Sequence, residues 1–375
     1  FGNPIQDFRT TDINLYAQDT WKVSRRVTLN YGVRYEKSWL PQPTITNPDW
    51  PQTGRVPAPN NQFSPRLSLS YSPNDKTVVR AGYGIFYARF HGNMLDTLYL
   101  GNGKYQTSVY VTPSQTGAPI FPNILSSASG APSGSVSLAF ASEDFHAPYS
   151  QQGTLAVERE LTRNLGLTVS YIWSRGIGLF TQRDLNLGAP GPTVTYTIQN
   201  AAGQTAGTYT TPVYVIGNRV DSRYSKILQV ENGGQSWYNG LAVQLRKRFS
   251  HGFQAQIAYT WSHAIDDANQ QGASWNVGSN YNNATVPGDY KFDRGSSSLD
   301  QRHRASINWI WAPTFTRSTS TFAKYFINGW QLSSLTTLAS AHPWTATMNS
   351  ASTSANGVFP GVTLANSTIN GSGGW

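Results

Sequence analysis

Hydrophobic positions recur at every second residue through much of the chain. The clearest case is Trp237–Phe249. Trp237, Leu241, Val243, Leu245 and Phe249 share one parity there, and Tyr238, Gly240, Ala242, Gln244, Arg246 and Arg248 share the other. Successive side chains of a strand point to opposite faces, so this alternation predicts a strand with one apolar and one polar side. Gly252–His263 repeats it, with Phe253, Ala255, Ile257, Tyr259 and Trp261 opposed to Gln254, Gln256, Ala258, Thr260 and Ser262. Only Ser250-His251-Gly252 links the two, which reads as a hairpin turn. The same pattern pairs Ile13–Val23 with Val27–Tyr35, Phe63–Tyr71 with Val79–Tyr87, and Leu155–Leu161 with Leu165–Trp173. Their turns are Ser24-Arg25, Pro73-Asn74-Asp75 and Thr162-Arg163-Asn164. Two further strands are predicted at about Arg304–Trp311 and Gly329–Ala339, giving about ten in all.

The remaining connections are long: roughly 40–62, 89–147, 180–235, 266–297 and from 340 onward, all rich in Gly, Ser, Asn, Pro and Thr. Structureless loops of this length are unusual in compact soluble domains. Short turns at one end and long loops at the other are the pattern of outer-membrane barrels. Aromatic residues on the apolar parity collect near both ends. Trp21, Tyr71, Phe249, Phe253 and Trp311 lie by the short turns, and Tyr87, Trp173, Trp237 and Trp261 by the long loops. Indole and phenol rings favour the headgroup level of a bilayer, where one edge is apolar and the other wet. From Trp237 to Phe249, at ~3.3 Å per residue and roughly 40–45° of tilt, a strand rises about 28 Å along the membrane normal, close to the ~25 Å apolar band of such barrels. The other parity carries Thr28, Asn30, Arg34 and Glu36, then Ser64, Arg66, Ser68 and Ser70, then Thr154, Glu158 and Glu160, as a wet interior requires. Asp19, Arg159, Lys247 and His263 break the rule by falling on the apolar parity. Arg159 and Lys247 are near a short turn, from which a long cationic side chain reaches water.

Composition narrows the classes. Charged residues are only 13% of the 375, about half the usual share, while aromatics reach 13%. Disordered chains lack this aromatic content. No stretch approaches the 18 or more apolar residues of a membrane-spanning helix. Absence of Cys excludes a thiolate metal site or a Cys nucleophile. The +9 formal charge is spread among single positions and small groups such as Arg25-Arg26, Arg246-Lys247-Arg248 and Arg302/Arg304, with no nucleic-acid motif. The chain opens on Phe1-Gly2-Asn3 without Met and ends Gly373-Gly374-Trp375, so it reads as an internal segment of a longer protein. Alternation alone also fits a soluble β-sandwich, propeller or carbohydrate-binding array.

Several stretches together resemble a known family. SWYNGLAVQLRKRFSHGFQAQIAYTWSHAIDDA (236–268) is similar to a barrel hairpin of Oar-like TonB-dependent receptors, and NLYAQDTWKVSRRVTLNYGVRYE (14–36) to a strand pair common in such barrels. FSPRLSLSYSPNDKTVVRAGYGIFY (63–87), DQRHRASINW (300–309) and NGWQLSSLTTLASAHPW (328–344) resemble other strands of the same type. The resemblance implies an outer-membrane transporter of a Gram-negative bacterium, with a plug domain inside the barrel and a segment that contacts TonB. Such barrels have ~22 strands. Residues 1–375 are therefore expected to be one portion of the barrel, an all-β, antiparallel, up-and-down transmembrane sheet without plug or regulatory domain. The implied partners are outer-membrane lipid, the protein's own plug, the TonB system and an unidentified extracellular solute. Nucleic acid is not among them. A structural or adhesive outer-membrane barrel is the alternative, and a soluble carbohydrate-binding β-protein the second.

No catalytic, cofactor or metal motif emerges: GxxxxGK[ST], HExxH and GxSxG are all absent. His91, His146, His251, His263, His303 and His342 show no ligand spacing. Asp266-Asp267 with Asp293 is an oxygen-rich loop group that lacks the spacing of a calcium loop. Asp300, Arg302, His303 and Arg304 read as ion pairs at a strand start rather than as acid–base catalysts. Gly101-Asn102-Gly103 reads as a loop. Arg34, Arg66, Arg80 and Arg246 are candidates to face the interior and to bias it toward anions. Tyr99, Tyr105, Tyr110, Tyr149, Tyr214, Tyr224, Trp275 and Tyr281 lie in or beside the long connections. They fit either a ligand-stacking surface or internal packing of the loops.

Overall fold

The computed structural model describes residues 1–343 apart from 3–6, 112, 115, 134–135, 192, 200–201, 213, 215–217, 268–283 and 285. Its strands are β1 (Thr11–Lys22), β2 (Val27–Trp39), β3 (Gln62–Asn74), β4 (Thr77–Tyr87), β5 (Ser108–Val109), β6 (Val136–Ala141), β7 (Tyr149–Thr162) and β8 (Leu165–Asp184). They continue with β9 (Thr193–Gln199), β10 (Thr205–Pro212), β11 (Tyr224–Ser250), β12 (Phe253–Asp266), β13 (Gly295–Ser296), β14 (His303–Trp311) and β15 (Leu332–Ala339), and one helix, α1 (Gly92–Leu100), precedes β5. Ten of the strands form an antiparallel meander in the order β1-β2-β3-β4-β7-β8-β11-β12-β14-β15. These are the ten that the alternation predicts, joined as expected. The sheet is open: among the described residues, β1 and β15 each have one unpaired edge.

Register makes the alternation a surface. Ala81 pairs with Leu155, Leu155 with Tyr171, Tyr171 with Leu241, and Leu241 with Trp261. The row one step lower runs Val79, Val157, Val169, Val243 and Tyr259. A slip of one residue in any strand would send its apolar set to the opposite face, so the aligned rows are evidence of the register itself. Leu15, Leu67, Leu155, Tyr171, Leu241 and Trp261 are exposed, and no second sheet or helical layer of the described residues covers them. A soluble sandwich would bury exactly this face. Gly153 sits between Tyr83 and Trp173 in the paired rows, and the two rings close over it, 6.5 Å between centroids. At the 251–252 turn both His251 (φ 52°) and Gly252 (φ 72°) are in the left-handed region, which suits the right-handed twist of the strands they join.

Three of the four misfit residues have local answers. Asp19 lies opposite Tyr31, whose hydroxyl donates to it over 3.1 Å. Lys247 curls to the turn and donates to Ser250 Oγ (2.8 Å) and to the Phe253 carbonyl (3.1 Å). His263 accepts from Arg302 at 2.7 Å.

Two expectations need correcting. First, 180–235 is no plain loop. β8 runs on to Asp184, β11 starts at Tyr224, and β9 and β10 form a hairpin between them. Likewise 89–147 contains α1 and β6, the latter lying parallel to β11. Periodicity fades over β6 and the start of β11 because those stretches are buried on both sides. Second, not every connection at the short-turn end is short: 75–76, 163–164 and 251–252 are two-residue turns, but 312–331 is a long link.

Depth in a bilayer makes the two faces unequal. Val157→Arg, on the outer rows, is expected to cost about 2–4 kcal/mol. Thr154→Lys, on the polar face, should stay within about 0.5 kcal/mol. Denaturant unfolding in lipid vesicles measures both; equal costs would refute the sidedness.

Candidate functional site in the inner wall and the loop cap

Two surfaces can meet a solute. The first is the polar face of β1–β4 and β7. Gly32 pairs with Arg66, Arg66 with Gly84, and Gly84 with Gln152. The glycines leave a hollow of about 710 Å³, lined by Gln18, Asn30, Arg34, Arg66, Ser68 and Thr154 among others. Phe86 leans over Gly84, and the Arg66 guanidinium stacks on the Phe86 ring at 4.5 Å. Asn30 donates to Ser68 (3.2 Å) and Arg80 to Ser70 (3.3 Å). Arg34 is paired with Glu36 (2.7 Å) and Arg80 with Glu158 (2.8 Å). All four predicted arginines thus sit on the polar face, but two are neutralised. Among the described residues Arg66 and Arg246 have no ion-pair partner.

The second surface is the long-loop end, where the molecule's largest buried core lies. Leu40, Val56, Met94, Leu95, Leu98, Tyr99, Phe145, Phe180 and Val230 form one cluster, and Leu138, Phe140, Tyr224 and Ile227 a second. Two buried asparagines, Asn102 and Asn186, and the half-buried Asn232 tie the loops together. Asn102 donates to the Ile45 carbonyl (2.6 Å) and accepts from the backbone of Lys104 and Tyr105. Asn186 donates to the carbonyls of Asp221 (3.1 Å) and Tyr224 (2.6 Å) and accepts from Asp221 N (2.8 Å). Asn232 brackets the peptide of His146, accepting at 2.9 Å and donating at 2.8 Å, and also donates to Gly178. Each clamp satisfies backbone groups that no ladder reaches. Sequence reasoning missed all three. For two of them the available signal was an Asn beside Gly, in Gly101-Asn102-Gly103 and Asn232-Gly233; Asn186, between Leu185 and Leu187, has none.

Of the aromatic candidates, Tyr99 and Tyr224 are buried in these clusters. Burial pushes the Tyr99 hydroxyl well above its ordinary value. Neither is free to stack on a solute, so for these two the packing alternative holds. Tyr105, Tyr149 and Tyr214 are half-buried and Tyr110 is exposed. Trp275 and Tyr281 lie outside the described residues. The acidic groups are engaged as well. Asp267 accepts from Gln235 N and pairs with Arg294 (3.1 Å), whose guanidinium stacks on Trp237 at 4.3 Å. Asp300 pairs with Arg302 (2.7 Å) at the start of β14, as the sequence suggests. Tyr290 donates to Glu231 and lies so close to Gly233 that a Cβ there would meet its ring. Burial first, and then the Glu231 bond, raise the Tyr290 hydroxyl.

The geometry is a two-faced wall with a folded cap, and it agrees with the sequence comparison. The outer membrane beta barrel domain matches residues 2–373. The chain belongs to that family. It is a Gram-negative outer-membrane protein, and the soluble carbohydrate-binding reading is set aside. The barrel is 24% identical over 283 residues to the TonB-dependent transporter Oar of Myxococcus xanthus, covering 68% of this chain and 23% of that protein. Among solved structures it is similar to the outer membrane transporter YddB from Escherichia coli (13% identity, 80% of this chain, 31% of that chain, TM-score 0.46). It is also similar to the siderophore receptor PirA from Pseudomonas aeruginosa (12% identity, 82% and 38%, TM-score 0.40). The barrel thus spans under a quarter of the length of Oar. These relatives are transporters and receptors rather than enzymes.

Removing a clamp should loosen the cap and spare the wall. Asn186→Ala leaves buried backbone groups unpaired, at about 1–3 kcal/mol. Limited proteolysis is expected to cut within 185–223 while β7, β8, β11 and β12 stay protected. Acid should act on the same segment. Arg223 bonds both carboxylate oxygens of Asp221 (2.7 and 3.0 Å), which holds Asp221 below the usual carboxylate range. A folded-state pKa below the unfolded one contributes stability at neutral pH that fades as pH falls through the carboxylate range. The protection factors of 219–224, taken relative to the intrinsic exchange rate at each pH, should therefore fall in acid, and Arg223→Ala should flatten that dependence.

Proposed function

We propose that this chain is part of the barrel of a TonB-dependent receptor that takes up a scarce extracellular solute. One observation carries the reading. A greasy-outside, polar-inside wall is surmounted by a loop cap with its own core, in a chain similar over 68% of its length to a TonB-dependent transporter. On this reading residues 1–375 are one stretch of barrel. Further strands pair with the free edges of β1 and β15, since an unpaired backbone edge is costly in hydrocarbon. A plug fills the interior, and inner-membrane energy delivered through TonB moves it. The cap captures the solute. Arg66 and Arg246, cationic and without ion-pair partners among the described residues, favour an anionic cargo along the polar face.

The test is growth on limiting nutrients. A strain lacking the gene should fail on at least one scarce solute, and a strain with inactive TonB should fail on the same one. Normal growth of the deletion strain on every such solute, with a defect in adhesion or envelope integrity instead, would assign the barrel a structural role.

A further inference from the structure

The link between β14 and β15, residues 312–331, stands out at the short-turn end, where the other connections are tight. It holds one helical turn, Ala323–Ile327. That turn is amphipathic in the wrong sense for water. Ala323, small and 2% exposed, faces the protein. Phe322, Tyr325 and Phe326 are 64%, 65% and 67% exposed, and Phe315 and Trp330 are 61% and 59% exposed. Phe322, Tyr325 and Phe326 all lie on the open side of the turn. A soluble protein rarely leaves so many large rings together in solvent, and such patches mark contact surfaces.

The rings are not splayed at random. Phe322 and Phe326 stack at 5.2 Å, and Phe315 meets Trp311 edge-to-face at 6.1 Å. Asn328 fastens the link, accepting from Phe315 N (2.9 Å) and donating to the Thr316 carbonyl (2.7 Å). The indole N–H of Trp330 is satisfied within the link by the Phe326 carbonyl at 3.1 Å. A built, hydrogen-bonded segment thus presents its aromatic side outward.

Continuity says what covers it. Trp311 and Leu332 are register partners at the last step of the outer apolar rows. Phe315 touches Trp311, and Trp330 precedes Leu332 by two residues, so the aromatic patch extends the lipid-facing surface beyond the strand ends. This end carries the short turns and therefore faces the periplasm. We propose that residues 312–331 form an interfacial anchor, with Phe315, Phe322, Tyr325, Phe326 and Trp330 set in the headgroup–acyl boundary of the periplasmic phospholipid leaflet. Aromatic rings bind at that depth, and a helical turn lying in the interface buries one face while its backbone stays bonded.

Residues 1–375 hold no Cys, so once any Cys elsewhere in the full-length protein is replaced by Ser, single probes can be placed without background. Phe322→Cys, Phe326→Cys and, as a solvent reference, Ser318→Cys would carry a nitroxide in the protein purified from outer membranes. The host vesicles are phosphatidylethanolamine with phosphatidylglycerol. Heat-modifiable gel mobility confirms folding of each variant. Collision with oxygen severalfold more frequent than with a water-soluble nickel chelate, at 322 and 326 but not at 318, is the expected result. Equal access of both reagents at all three positions would place the link in water and overturn the proposal. Low access of both at 322 and 326 would bury the rings against protein and overturn it equally. Should a probe at 322 prevent folding, Tyr325→Cys supplies the same measurement.

Discussion

A backbone that crosses hydrocarbon has no water to bond with, so each peptide group must find its partner on a neighbouring strand. The rest of the structure follows from this constraint. It forces long uninterrupted ladders, and ladders impose the two-residue period. The period in turn sorts every side chain into one that meets lipid and one that meets water. Leu155 and Thr154 are adjacent in sequence yet belong to different solvents. Where the constraint lifts, beyond the long-loop end, the chain stops meandering and behaves like a soluble protein. It acquires a helix, a parallel strand and a buried core around Met94, Leu98 and Phe145. The asparagine clamps belong to the same account, because they supply backbone partners where no adjacent strand does.

What could be read from the sequence follows this division. The ten wall strands were legible since each has one wet side, and alternation survives wherever one face is wet. Trp237, Leu241, Val243 and Leu245 share a parity whatever the tertiary context. The cap was not legible. Leu138, Ala139, Phe140 and Ala141 are consecutive and all buried, which erases the period. The extension of β11 back to Tyr224 was hidden for the same reason: Ile227, Leu228 and Val230 point into packed surroundings on both sides. The long link 312–331 was missed differently. Its aromatic residues show no alternation that would assign them a face, and only the fold turns Ala323 inward and the rings outward.

The candidate site was half legible. Parity alone put Arg34, Arg66, Arg80 and Arg246 on the polar side. Which of them are already balanced by Glu36 and Glu158 depends on side-chain reach and register. The tyrosines show the reverse failure. Tyr99 and Tyr224 have the chemistry of a stacking surface, but burial removes them from it, and chemical type without location cannot tell a binding ring from a packing ring. The acidic residues divide in the same way: Asp267 looks available in the sequence but is occupied by Arg294, whereas the pairing of Asp300 with Arg302 was legible at the strand start.

The parallel pairing of β6 with β11 carries a lesson about timing. β6 precedes β7 and β8 in the chain, yet it docks on the stretch of β11 that begins at Tyr224. A nascent chain therefore makes β6 long before its binding edge exists. That edge becomes available only after β7, β8 and β11 have zipped together, and closing so wide a loop is slow compared with closing a two-residue turn. By loop closure alone, the crown is expected to settle after the hairpins beneath it, a latch thrown over a wall already standing.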